Sequence, residues 1–157
     1  MWALSLKHLT MANTYTQLYV HVVFAVKGRS NCIHSKWKEN LFRYITGVIT
    51  NKGQRLMSIN GVADHIHLLI GLKPDSNLSE LVRDIKSNSS RWVNENRLVT
   101  CKFEWQTGFG AFSVGQLQVQ GVINYIYNQE EHHRKRSFRS EEHTSELQSP
   151  CNLVCRL

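Results

Sequence analysis

The chain has 157 residues, 41% hydrophobic and 20% charged, with 19 Lys and Arg against 12 Asp and Glu for a formal charge of +7. That length suits one domain around one core rather than two, and no apolar run approaches the roughly 20 residues that span a bilayer. A membrane-spanning protein is therefore excluded, and the expected setting is the cytoplasm. The basic excess favours a polyanionic partner, because each phosphate neutralised releases counterions.

In chain order, residues 14–27 (TYTQLYVHVVFAVK) are rich in β-branched and aromatic residues and predict a long first strand. Residues 35–51 place Trp37, Leu41, Tyr44, Ile45 and Val48 at helical spacing, with Ser35 as the N-cap. Residues 54–62 and 65–72 predict a strand pair broken near Ala63-Asp64. KPDSN then forms a turn, and Ser76 or Asn77 caps a helix running to about Asn96. Its apolar face carries Leu78, Leu81, Val82 and Ile85; its other face carries Arg83, Lys86 and Arg91. A strand is expected around CKFEWQ, followed by the Gly-rich stretch TGFGAFSVG and a helix from about 116 to 134. Strand, helix, strand, strand, helix, strand is the β-α-β-β-α-β order of a ferredoxin-like α+β sandwich, here with an extra C-terminal helix.

Both ends depart from this pattern. Residues 1–10 add nothing to the first strand and are expected to be an extension from a misplaced start codon, with the domain occupying 11–138. RSEEHTSELQS, beginning at Arg139, resembles the conceptual translation of a sequencing adapter, so residues 139–157 are expected to be an assembly artefact. Setting both ends aside removes three basic and three acidic residues and leaves the balance at +7. Cys32 and Cys101 stand alone, which suits reduced thiols, and Cys151 and Cys155 lack the second pair a zinc site needs.

Two local patterns carry chemistry. In DHIHLLI, His65 and His67 alternate on one strand and so share a face, from which two imidazoles can reach one divalent ion. In VINYIYNQEEHHRKRSF, helical spacing sets Tyr125 one turn before Gln129. The amide supplies a hard oxygen for Mg or Mn, and the phenol is a potential nucleophile toward phosphate. Read alone, each pattern also fits ordinary strand histidines or a core aromatic beside a surface amide.

Together, QLYVHVVFAVKGR, GVADHIHLLIGL, EWQTGFGAFSV and YIYNQEEHHRKRSF resemble the HUH-class tyrosine transposases of small bacterial insertion sequences, including those associated with REP elements. The likeness covers about residues 11–138 in order. It implies that His65, His67 and Gln129 hold Mg (or Mn) and that Tyr125 is the nucleophile. Tyr127 is a rival whose own residue four further on is Glu131. It also implies single-stranded DNA hairpins at element ends as substrate and a homodimer, with the glycines before the last helix serving either as a flexible arm or as a turn.

Lys27, Arg29, Arg83, Lys86, Arg91 and Arg134 are candidate phosphate contacts, which position DNA without reading its sequence. Asp64 is expected to face away from the histidines unless a bulge brings it in. Three other readings stay open: a non-enzymatic nucleic-acid-binding module, a metallohydrolase using water, and a related replication or plasmid-transfer nickase. The first would need aromatics where HIHLLI stands.

Overall fold

A computed structural model describes residues 15–131. The expectations for 1–10 and 139–157, Arg134, His132, His133 and the C-terminal cysteines fall outside them. The elements are β1 (Leu18–Ala25), α1 (Ser35–Asn51), β2 (Arg55–Gly61), β3 (His65–Leu72), α2 (Leu78–Glu95), β4 (Gly110–Val114) and α3 (Val119–Tyr127). Single 3-10 turns at Lys27–Arg29 and Gln116–Gln118 punctuate the connections. The sheet is antiparallel, in the order β2-β3-β1-β4. This is the ferredoxin-like order read from the sequence, with α3 added.

Strand alternation divides the sheet into two buried faces. From β3, Ile66, Leu68 and Ile70 join Val22 and Phe24 of β1 in the main core, closed by Leu41, Ile45 and Ile49 of α1 and Leu81, Val82 and Ile85 of α2. On the opposite face Leu69 packs with Val114 of β4 and Ile126 of α3. Every residue from His65 to Ile70 is consequently buried. The two histidines thus lie on the face that α3 covers, and the fold places both inside it.

Local chemistry explains the boundaries. Asn77 caps α2 by accepting the Glu80 N–H at 3.2 Å, while Ser76 accepts from Gln54 Nε2 at 2.7 Å instead. At α1 the cap position belongs to His34, whose backbone is extended and whose side chain makes no capping bond. Ser35, expected there, is already helical and so cannot take the cap geometry.

The fourth strand is displaced from its expected place. CKFEWQ makes only a single bridge to the sheet, Val26 to Trp105. Asn94 grips both backbone groups of Phe103, at 2.8 and 2.9 Å, and the Trp105 indole donates to Ser89 Oγ at 2.9 Å. The two rings meet edge to face at 4.9 Å, and Trp105 meets Phe24 at 4.8 Å, sealing the end of the core. Gly108, at φ 82°, then turns the chain so that Gly110–Val114, inside the glycine-rich stretch, pairs with β1. Cys32 and Cys101, read as isolated, are hydrogen-bonded to each other, and burial together with that neighbour raises the Cys32 thiol pKa.

Candidate active site

The site begins with the register of β3 on β1. His67 lies opposite Val23 and His65 opposite Ala25, and the two imidazole centroids are 5.1 Å apart. Both residues are buried, at 1% and 5% exposure. His65 Nδ1 is 2.6 Å from Asp64 Oδ1, and Arg29 reaches the other carboxylate oxygen at 3.6 Å. Asp64 escapes the facing rule because it sits in the turn before β3, outside the ladder, where its carbonyl accepts the Val26 N–H at 2.7 Å.

A third histidine, which the sequence did not single out, completes the face. His21 of β1 is the diagonal neighbour of His67, and its Nε2 lies 3.0 Å from His67 Nδ1. It is 5% exposed, and burial pushes its pKa down to about 4, so the ring is neutral. The available signal was a lone polar residue in an apolar strand, but only the β1–β3 register says what it meets.

α3 carries Tyr125 but ends at Tyr127, short of the helix expected from about 116 to 134, so Gln129 lies just past its C-cap Asn128. The Tyr125 ring stands edge-on to His67 at 5.8 Å and to His21 at 6.1 Å, all in the same chain. Gln129 is fully buried, and its Nε2 donates to the Tyr125 carbonyl at 3.2 Å. Its Oε1 is buried and accepts no hydrogen bond among the described residues. Tyr127 is 78% exposed on another face of the helix, where its carbonyl accepts from Asn60 Nδ2 at 2.8 Å. That bond ties the end of α3 to β2, and the Lys38–Glu130 ion pair ties the residues just after it to α1.

The donor set fits a divalent ion. Each strand histidine has Nδ1 engaged by a neighbour, the arrangement in which Nε2 serves as a ligand. Gln129 offers a buried oxygen whose desolvation nothing else in the described residues offsets. Among the described residues no three His, Cys, Asp or Glu side chains converge as a metal cluster.

Comparison with known proteins gives the chain a family. Residues 14–129 match the family described as "Transposase IS200 like". The chain belongs to that family. Relatives include the transposases of insertion element IS200 from Salmonella typhimurium and Salmonella typhi, each 25% identical over 126 residues that cover 76% of this chain and 82% of theirs. Similar solved structures include a Deinococcus radiodurans protein classed as a transposase, with TM-score 0.61 and 20% identity over 75% of this chain and 95% of that one. Another is a REP-associated tyrosine transposase bound to a REP hairpin, with TM-score 0.60 and 16% identity over 78% of this chain and 72% of that one. At those identities the structures speak for the fold; the family match makes this IS200-like chain a transposase, an enzyme that cuts and rejoins DNA.

The candidate phosphate contacts of this transposase divide by position. Val23 and Ala25, the ladder partners of the histidines, floor a groove of about 290 Å3 whose lining includes Arg29, Thr107 and Phe109. Lys27, nearby, is paired with Glu104 at 2.6 Å, and Lys102 and Lys27 together hold that carboxyl down at about 2. Arg83, Lys86 and Arg91 ride on α2, across the sheet from the histidines. Arg83 lies 3.6 Å from Asp84, and Arg91 is exposed. Lys86 is committed to structure, donating to the carbonyls of Gln106 and Gly108 at 2.6 and 2.7 Å, with its pKa lowered by burial. No helix among the described residues is long and apolar enough to cross a membrane.

Proposed function

We propose that this transposase nicks and rejoins single-stranded DNA through a 5′-phosphotyrosine on Tyr125. The observation that carries the reading is the pairing of a buried Gln129 Oε1, without a hydrogen-bond partner among the described residues, with a tyrosine ring set against His67. In the first step the Tyr125 oxygen attacks the scissile phosphorus in line. A bond forms between that oxygen and phosphorus, the bond to the 3′-oxygen breaks, and the tyrosine proton is passed in net terms to the released 3′-hydroxyl. A second 3′-hydroxyl then attacks the phosphotyrosine, restoring a phosphodiester and the phenol. The linkage energy stays in the covalent intermediate, so neither water nor ATP is consumed.

His65, His67 and Gln129 would hold the Mg or Mn ion, which supplies charge stabilisation at the phosphate when bound. The groove floored by Val23 and Ala25 lies beside them and suits the incoming strand, with Arg29 at its rim. Hairpin-forming element ends are the proposed substrate, supported by the hairpin on the structural relative. A homodimer is carried over from the family resemblance.

The test is covalent capture. Full-length protein with Mg and labelled hairpin-bearing oligonucleotides, run on a denaturing gel, should show a labelled protein band. That band should vanish in Tyr125→Phe and with chelator, and persist in Tyr127→Phe. Cleavage without a covalent band would point instead to water as nucleophile, and binding without cleavage to a recognition module.

A further inference from the structure

The buried contact between His21 and His67 has a direction, and the direction matters. The two rings lie within 22° of coplanar with centroids 5.2 Å apart, the arrangement of two imidazoles joined edge to edge by one N–H···N bond. A single proton occupies that bond. If His21 Nε2 donates it, His67 carries its own proton on Nε2 and cannot ligate. If His67 Nδ1 donates it, the buried His67 Nε2 is left as a lone-pair donor able to ligate. His65 shows the second pattern already, since Asp64 on its Nδ1 is a carboxylate and can only accept.

We infer that His21 is a positioning residue that accepts the Nδ1 proton of His67 and so holds its Nε2 ready as a metal ligand. The inference deepens the function proposed above and rests on its metal set. Three features of the packing support it. His21 is confined on its own face of the sheet by Phe112, its partner across the β1–β4 ladder, with ring centroids at 6.3 Å. Tyr125 closes the other side edge-on at 6.1 Å, so the imidazole has no room to swing away. The three histidines do not converge as a metal cluster, which leaves His21 acting through His67 rather than as a ligand itself. The outcome is a matched pair: Asp64 orients His65, and His21 orients His67.

Substitution and nitrogen chemistry test this together. Gln at 21 keeps an acceptor for the His67 proton, whereas Leu fills the same space without one. In the full chain, Mn2+ titration should give His21→Gln an affinity close to wild type. His21→Leu should bind roughly 10–100-fold more weakly, the usual penalty for losing such an orienting partner, yet melt no lower than His21→Gln. Ring-nitrogen NMR of the metal-free wild-type protein should find His67 protonated at Nδ1 and His21 bare at Nε2. His67 protonated at Nε2, equal Mn2+ binding by all three proteins, or equal weakening by Gln and Leu would each overturn the positioning role alone. A wild-type protein that binds no Mn2+ would overturn the metal reading itself and the positioning role with it.

Discussion

Gln129 buries an amide oxygen that has no partner among the described residues, at a cost of about 1–3 kcal/mol for an acceptor taken out of water. Met fills nearly the same volume without that cost and loses only the bond to the Tyr125 carbonyl, worth about 1 kcal/mol. Gln129→Met is therefore expected to melt at or above the wild-type temperature while losing Mn2+ binding, a trade of stability for function that calorimetry and metal titration would read side by side. His21 imposes a second cost that depends on pH. Its folded pKa of about 4 lies below the ordinary 6.5, so the unfolded chain takes up the proton first as pH falls. The corresponding stability is complete above pH 6.5 and drains away between 6.5 and 4. At 1.36 kcal/mol per pKa unit the loss is at most about 3 kcal/mol. Urea midpoints of the metal-free protein across that range should fall for wild type and flatten for His21→Gln.

Among the elements, β3 is the one on which both layers depend, and its start is fixed by the turn after β2. A Cβ on Gly61 would lie 2.4 Å from the His65 carbonyl oxygen and 2.8 Å from Ile66 Cα, both backbone atoms that cannot move without shifting the strand. Gly61→Ala should cost about 1–3 kcal/mol by overpacking and weaken Mn2+ binding, because the displaced residue is His65. Gly121 makes the opposite case. It lies exposed inside α3, and a methyl group there would meet no atom within 4 Å. Gly121→Ala should therefore stabilise the helix by up to about 1 kcal/mol and leave metal affinity unchanged. Paired urea melts and Mn2+ titrations separate the two glycines. The β2–β3 pair and both long helices were legible because their apolar spacing is regular. β4 was not: Phe103 and Trp105 alternate as a strand does, but Asn94 and Ser89 of α2 draw them into the core instead.

For the whole molecule, the charge of +7 sets a general attraction to DNA, and the fold decides which cations can use it. Arg29 lines the groove beside the histidines, whereas Lys86 spends its donors on the carbonyls of the segment leading to β4. Removing a real phosphate contact should lower the salt dependence of single-strand binding by about 0.7 in the log–log slope. Arg29→Ala is expected to show that change. Lys86→Met should leave the slope alone and lower the melting temperature, since it frees two carbonyls rather than a phosphate.

From sequence alone came the fold class, the strand carrying His65 and His67, and the helix carrying Tyr125, because each depends on short-range periodicity that a few neighbouring residues define. Tertiary structure decided what periodicity cannot express. It set His21 against His67 through the β1–β3 register, brought Asp64 to His65 through a turn, buried Gln129 under the end of α3, and turned Lys86 from a surface charge into a loop anchor. These contacts join residues far apart in the chain or held outside regular elements, and only packing of the whole sheet between α1–α2 and α3 gives them a position.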